Sequence, residues 1–96
     1  MASTKEYRDF ILEQLSEAPD VTCRPMMGEF LLYSEGSLFG GIYDDRLLVK
    51  KVPENERFKM SEVIPYKNAK PMYFVEDVDD RGKLMGIIEA TKKGLR

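Results

Sequence analysis

The sequence predicts an α+β domain in which N-terminal and C-terminal helices pack on an antiparallel sheet. Between residues 24 and 51, three short apolar segments are separated by the turn-forming residues 34–37 and by Asp44-Asp45, as in two consecutive tight hairpins. Apolar residues at helical spacing stand near both ends of the chain. The expected order is helix, strand meander, short helix, strand and helix.

The first helix is predicted over residues 4–17. Ser3 followed by Glu6 fits a capping box, in which a hydroxyl and a carboxylate each satisfy a free backbone amide. The apolar residues that we expect on its inner side are Tyr7, Phe10, Ile11, Leu15 and Ala18. Pro19-Asp20 then ends the helix.

Four strands are predicted to follow, over residues 21–26, 29–34, 37–43 and 46–51. Gly28 marks a bend between the first two strands. Gly40-Gly41 is unusual inside a strand, because glycine weakens pairing and marks a bulge or a close backbone approach. A helix lying across the sheet at this point would explain the pair.

Apolar residues occupy both faces of the predicted meander. Phe30 and Leu32 point one way, while Leu31 and Tyr33 point the other. A sheet with one wet face alternates cleanly between apolar and polar residues. We therefore expect helices on one face, and a partner subunit or the residues after 60 on the other.

The C-terminal part is predicted to complete the sheet and its second helix. Asn55 would cap a short helix over residues 56–61, and the prolines of residues 64–71 indicate a loop. A strand over residues 72–75 precedes a final helix capped by Asp79 or Asp80. The residues expected on its inner stripe are Leu84, Ile87, Ile88 and Thr91, while Lys92, Lys93 and Gly94 suit its C-terminal end.

Composition limits the function classes. Ninety-six residues suit a single domain, residues 1–96, and a net charge of −2 lacks the basic excess usual in a nucleic-acid reader. We therefore do not expect direct nucleic-acid binding. A lone cysteine and the lack of a long apolar run predict a cytoplasmic protein without membrane association.

No catalytic, metal or cofactor site is expected. The chain has no histidine, so Cys23 lacks the imidazole that commonly activates a thiol, and we interpret it as a half-buried strand residue. The acidic segment around Asp77 and Asp79 begins like a calcium loop. It fails as one, because Arg81 and Ile88 stand where carboxylate ligands are needed.

Basic and aromatic residues in the middle of the chain could form a patch for single-stranded nucleic acid. The favoured interpretation is a solvated face that nearby acidic residues balance. The residues concerned are Arg46, Lys50, Lys51, Lys67 and Lys70, with Tyr66 and Tyr73.

The segment Arg24 to Lys51 resembles the N-terminal domain of the TfoX/Sxy family, bacterial regulators of natural competence. The matching positions are Arg24-Pro25-Met26, Gly28, Tyr33, Gly36, Phe39, Asp45-Arg46-Leu47 and Lys50, while Met27 replaces the family's usual aromatic residue. The resemblance implies a fold similar to secretion chaperones. It also implies positive regulation of competence genes together with the cyclic-AMP receptor protein. The regulators carry a second, helical domain that these residues do not include.

The resulting hypothesis is a non-enzymatic adaptor that regulates transcription for DNA uptake by contacting a transcription factor or a polymerase component. The alternative is a small dimeric, chaperone-like module that binds peptides. A third hypothesis is an enzyme that uses Cys23 or the carboxylates. The family-motif and partner-surface candidates are Arg24, Met26, Met27, Gly28, Leu31, Tyr33, Phe39, Tyr43, Arg46 and Lys50.

Overall fold

The computed structural model describes residues 2–96 and has an α+β fold. Helix α1 (Lys5–Gln14) precedes four strands, β1 (Val21–Met26), β2 (Glu29–Ser34), β3 (Ser37–Ile42) and β4 (Leu47–Val49). A 3₁₀ helix (Pro53–Phe58), β5 (Ser61–Val63), β6 (Met72–Val75) and α2 (Arg81–Gly94) complete the chain. The predicted fold class and order of elements are confirmed.

The strands form one antiparallel sheet in the order β1-β2-β3-β4-β6-β5. The sequence did not predict β5, which is short, largely exposed and at the sheet edge. Its residues carry no clear alternation, so only pairing with β6 identifies them as a strand. The sheet is therefore wider by one strand than predicted.

Three two-residue turns connect the first four strands, and all six turn residues have positive φ angles. This backbone matches the twist of antiparallel strands, and glycine, aspartate and asparagine adopt it at least cost. The turn pairs are Met27-Gly28, Glu35-Gly36 and Asp44-Asp45. The structure thus adds a third tight hairpin to the two that were predicted.

The N-terminus of α1 differs from the predicted capping box. Thr4 is the cap, and its Oγ1 accepts a hydrogen bond from the backbone N–H of Tyr7 at 3.1 Å. The Ser3 hydroxyl instead donates to Oε1 of Glu29 at 2.6 Å. Because Glu29 also accepts from the Asp44 backbone N–H, Ser3 joins the chain terminus to two hairpin turns.

The main core lies between one sheet face and the two helices. It includes Ile11 of α1, the C-cap residue Leu15, and the α2 residues predicted for the inner stripe, except that Thr91 contributes a buried hydroxyl. Phe10 was predicted on the inner side of α1 but is 37% exposed. The fully buried sheet residues in this core include Leu32, Phe39, Ile42, Leu47 and Val49.

Gly40 and Gly41 are explained by neighbouring strands and not by a crossing helix. A Cβ at Gly40 would collide with the backbone of Leu48. A Cβ at Gly41 would lie 2.6 Å from the carbonyl oxygen of Phe30 and 2.8 Å from the Tyr43 ring. The predicted close approach is confirmed, while its proposed cause was wrong.

Asn55 and Gly94 have different roles from those predicted. Asn55 lies inside the 3₁₀ helix, fully buried, and its amide donates to the Lys50 carbonyl at 2.8 Å and to Thr91 Oγ1 at 2.9 Å. Gly94 is the last residue of α2, and Leu95 is the C-cap, with a φ of −90°. A Cβ at Gly94 would collide with Val52, so the glycine allows α2 to approach the start of the 3₁₀ helix closely, and the Asn55–Thr91 hydrogen bond joins the two helices.

Within residues 2–96, neither helix has both the length and the apolar character needed to cross a bilayer.

Candidate functional site

The sheet face away from the helices is the candidate site. Strand register places Leu31, Gly41, Leu48 and Phe74 side by side across β2, β3, β4 and β6 on this face. Leu31 is partly exposed, whereas Leu48 is fully buried although it is not part of the core under the helices. Something other than a helix must therefore cover the middle of this face.

Tyr43 and the segment 64–71 provide that cover. The Tyr43 ring lies over Gly41, where the missing side chain leaves room for it. Tyr66 packs on Tyr43, with ring centroids 6.2 Å apart and planes inclined by 42°. The expectation that residues after 60 shield the second face is thus confirmed for its centre.

A groove remains beside this cover. Its volume is about 710 Å³, within the usual range of roughly 300–1,000 Å³ for ligand pockets. Its floor and walls come from β1, β2, β3, β6 and the segment 64–71. The aliphatic, methionine and proline residues that line it are Met26, Leu31, Leu38, Pro65, Ala69, Pro71 and Met72.

The charged residues that line the groove are all lysines: Lys50, Lys51 and Lys70. Lys51 pairs with Glu62 at 2.7 Å, and this hydrogen bond is the main cause that raises the pKa of Lys51. Lys50 and Lys70 form no ion pair with any carboxylate in residues 2–96. The groove therefore combines an apolar floor with two uncompensated positive charges.

The two tyrosines differ in what they present to a ligand. Tyr43 is 6% exposed and Tyr66 is 57% exposed. Burial is the main cause that raises the pKa of the Tyr43 phenol, with smaller contributions from Tyr66 and Glu29. Tyr43 is therefore a neutral structural support, and Tyr66 is the accessible aromatic surface.

The structure brings several of the predicted partner-surface residues together. Met26, Leu31, Tyr43 and Lys50 line the groove. Arg24 and Tyr33 lie on the same sheet face, and the Arg24 guanidinium stands 6.0 Å from the centre of the Tyr33 ring. These six residues form one continuous side of the molecule.

The other candidates lie elsewhere. Phe39, one of the family-motif positions, is fully buried in the core and is not available to a partner. Met27 and Gly28 form the β1–β2 turn, where Met27 is 97% exposed. Arg46 ends the β3–β4 turn and donates from Nε to the Tyr43 carbonyl at 3.3 Å.

The predicted basic patch is only partly assembled. Lys50, Lys51, Lys70 and Tyr66 meet at the groove. Tyr73 instead packs against the core, with Lys51 Nζ 5.6 Å from the centre of its ring. The lining residues Leu38, Pro71 and Met72 were not predicted for a site, and only their apolar character next to the proline-rich loop could have indicated them.

Cys23 and the acidic segment offer little chemistry. Burial is the main cause that raises the pKa of the Cys23 thiol, although Arg8 opposes it, so the reactive thiolate is disfavoured. Asp80, in the failed calcium-loop match, caps α2 by accepting from the Lys83 backbone N–H at 3.0 Å. Across residues 2–96, no group of three potential ligand side chains is placed to hold a metal ion.

The chain is similar in sequence to a distant relative. No family model matches the chain. The chain is 26% identical over 98 residues to a protein of Spirochaeta aurantia described as "Uncharacterized 12.7 kDa protein in trpE 5'region". The aligned part spans 99% of this chain and 85% of that protein, so the likeness extends over almost the whole domain. That description gives a genomic position and no activity, and the resemblance to the TfoX/Sxy regulators stays a prediction.

Proposed function

We propose that this protein is a non-enzymatic, cytoplasmic adaptor that binds another protein through the groove on the second sheet face. The observation that carries the proposal is the groove itself, where an apolar floor remains open beside the Tyr43–Tyr66 cover. Exposed apolar surface that a single domain leaves uncovered is typical of protein-interaction sites. Methionines at 26 and 72 suit such a site, because their flexible side chains adapt to a partner.

We further propose that the adaptor acts in transcriptional regulation of DNA uptake, with a transcription factor or a polymerase component as its partner. This step is supported by the resemblance of residues 24–51 to the TfoX N-terminal domain. Four of the motif and partner-surface residues, Met26, Leu31, Tyr43 and Lys50, line the groove. The groove therefore overlaps the resembling segment, and it shares Met26 and Lys50 with the family motif.

Site-specific photo-crosslinking in the native host tests this role. A photoreactive residue at Lys67, which is exposed next to Tyr66, should crosslink a named transcription factor or polymerase subunit, identified by mass spectrometry. The matched control is Glu6, exposed on α1 on the opposite side of the sheet, which should give no such product. Deletion of the gene should also lower transcription of the DNA-uptake genes. Crosslinks that never include a component of the transcription machinery would contradict the proposal.

A homodimer is the alternative occupant of the groove. In that case the Lys67 crosslink would join two copies of this chain, and sedimentation would give twice the monomer mass. That result would favour the chaperone-like module over the adaptor.

A further inference from the structure

We infer that the groove recognises an acidic peptide segment of the partner, one that carries apolar anchor side chains between its carboxylates. This inference rests on the proposed function, since it assumes that the groove binds a protein. It adds the chemistry of the bound segment. The distribution of charge, the shape of the floor and the available aromatic surface all favour such a segment.

The charge of the groove is positive, whereas the net charge of the whole protein is negative. The chain has 17 acidic and 15 basic residues, yet its groove is lined by lysines and by no carboxylate. Glu29 acts on Tyr43 from outside the lining, but it accepts hydrogen bonds from Ser3 and from the Asp44 backbone N–H. Such a local field attracts acidic ligands and disfavours basic ones.

Apolar floor and charged rim are arranged in a way that fits a peptide. Met26 on β1 lies on one side of Leu31 and Leu38, while Lys50 after β4 and Met72 on β6 lie on the other. Apolar side chains of a ligand would be desolvated on this floor, while its carboxylates reach the lysines. Affinity would come mainly from the apolar anchors, and charge would select the partner.

Single-stranded nucleic acid fits the same groove less well. Sequence-tolerant binding of single strands depends on several bases stacking on open aromatic faces. Among the lining residues, Tyr66 presents an open ring, whereas Tyr43 is buried beneath it. Aliphatic and methionine side chains make up the rest of the floor, and these suit leucine-like anchors better than bases.

Selection from an unbiased random-peptide display library against the full chain tests the inference. We expect the enriched peptides to carry Asp or Glu together with Leu, Met or Phe, and their affinity to fall as salt is raised. Lys70→Glu, in the exposed loop, should weaken a selected peptide by about tenfold or more, and Lys50→Glu should act in the same direction. The matched control Lys93→Glu, on α2 and away from the groove, should bind as the wild type does.

Three results would overturn the inference: enrichment of basic or uncharged peptides, no enrichment, or displacement of the peptide by an oligothymidylate at equal concentration. Thermal unfolding of each variant separates lost binding from lost folding, and Lys70→Glu remains informative because its side chain is exposed. The two proposals fail separately. A transcription component crosslinked from Lys67 with no acidic preference would leave the adaptor role intact. Acidic peptides bound without such a crosslink would leave the groove chemistry intact.

Discussion

The Nζ of Lys92 lies 3.1 Å from the hydroxyl oxygen of Ser34, and both side chains are buried where α2 meets the end of β2. Ser34 in turn donates to the Pro19 carbonyl at 2.6 Å, and Lys92 also pairs with the partly exposed carboxylate of Glu35. The sequence predicted only that Lys92 suits the negative C-terminal end of the helix. In the structure it joins α2 to the β2–β3 turn and to the segment after α1.

The Glu35–Lys92 pair should make stability depend on pH. The hydrogen bond from Lys92, and secondarily its charge, lowers the pKa of Glu35 below its ordinary 4.5. A carboxylate with a lowered folded-state pKa stabilises the protein above its unfolded pKa, and that contribution is lost as the pH falls through the folded value. As the pH falls below the ordinary value of 4.5 and through the lowered folded-state pKa, the free energy of unfolding of the wild type should fall toward that of Glu35→Gln.

Denaturant unfolding at several pH values measures this convergence. Glu76→Gln serves as the control, because Glu76 is exposed and makes no ion pair within residues 2–96. The control should keep the wild-type pH profile. If Glu35→Gln also keeps that profile, the ion pair does not contribute as described.

Asn55 should be among the most sensitive polar positions. Besides its two donated hydrogen bonds, its Oδ1 accepts from the Val52 backbone N–H at 3.3 Å. Asn55→Ala leaves buried groups of Lys50, Val52 and Thr91 without this partner, and we expect a loss of about 3 kcal/mol in unfolding free energy.

A double-mutant cycle with Thr91→Val isolates one of these bonds. Thr91 Oγ1 accepts from Asn55 and donates to the Ile87 carbonyl at 2.8 Å, so the single variant should cost about 1–2 kcal/mol. The double variant should lose less stability than the two single variants lose together, because both substitutions remove the same Asn55–Thr91 hydrogen bond. Fully additive losses would contradict a direct interaction between these side chains.

How much of the fold the sequence predicts depends on the range of the interaction. The meander follows from local signals, since apolar alternation and turn residues such as Gly36 and Asp44 act within a few positions. The Lys92–Glu35 pair joins residues 57 positions apart, and no local pattern of a lysine near a helix end indicates burial. To predict this ion pair, one would have to know the angle at which α2 packs on the sheet.

The candidate site shows the same limit. Two apolar faces predicted a covered second face, and the structure confirms cover by residues 64–71. The size of the groove depends on how far Tyr66 extends over Tyr43. The conformation of the loop 64–71 determines that extent. Phe39 lies in the core because a bulge opposite Leu32 and Tyr33 shifts the alternation of β3. Bulges change which face a residue occupies without leaving a clear sequence signal, other than the adjacent glycines.

Two glycines of α2 should respond to alanine in opposite ways. A Cβ at Gly94 collides with the Val52 side chain and approaches Glu54 Oε1 at 2.6 Å, so Gly94→Ala should cost about 1–3 kcal/mol. A Cβ at Gly82 finds only Asp80 Oδ1, at 3.6 Å, so Gly82→Ala should gain up to about 1 kcal/mol from helix propensity. Urea midpoints at an unchanged slope measure both. If alanine changed the free energy of unfolding equally at the two sites, helix propensity and not packing would determine the effect at Gly94.

The hairpin turns at Met27-Gly28 and Glu35-Gly36 offer a final contrast, because they share one backbone conformation but differ in side-chain contacts. Met27 has a φ of 50° and is 97% exposed, and Glu35 has a φ of 51° and pairs with Lys92. Asparagine adopts this left-handed conformation more readily than methionine or glutamate and is favoured before glycine in such turns. Met27→Asn should therefore raise the free energy of unfolding by about 0.5–1 kcal/mol.

Glu35→Asn should relax its turn in the same way, yet lower the overall stability, because it removes the charged partner of buried Lys92. If Met27→Asn raises the free energy of unfolding and Glu35→Asn lowers it, the effect of the turn conformation is separated from the effect of the ion pair. Thermal unfolding of both variants at neutral pH gives the comparison, and it should be repeated below the pKa of Glu35, where the pair is already lost. At that acidic pH Glu35→Asn should become stabilising, as Met27→Asn is at both pH values. A Glu35→Asn variant that destabilises equally at both pH values would contradict the assignment of its cost to the charged pair.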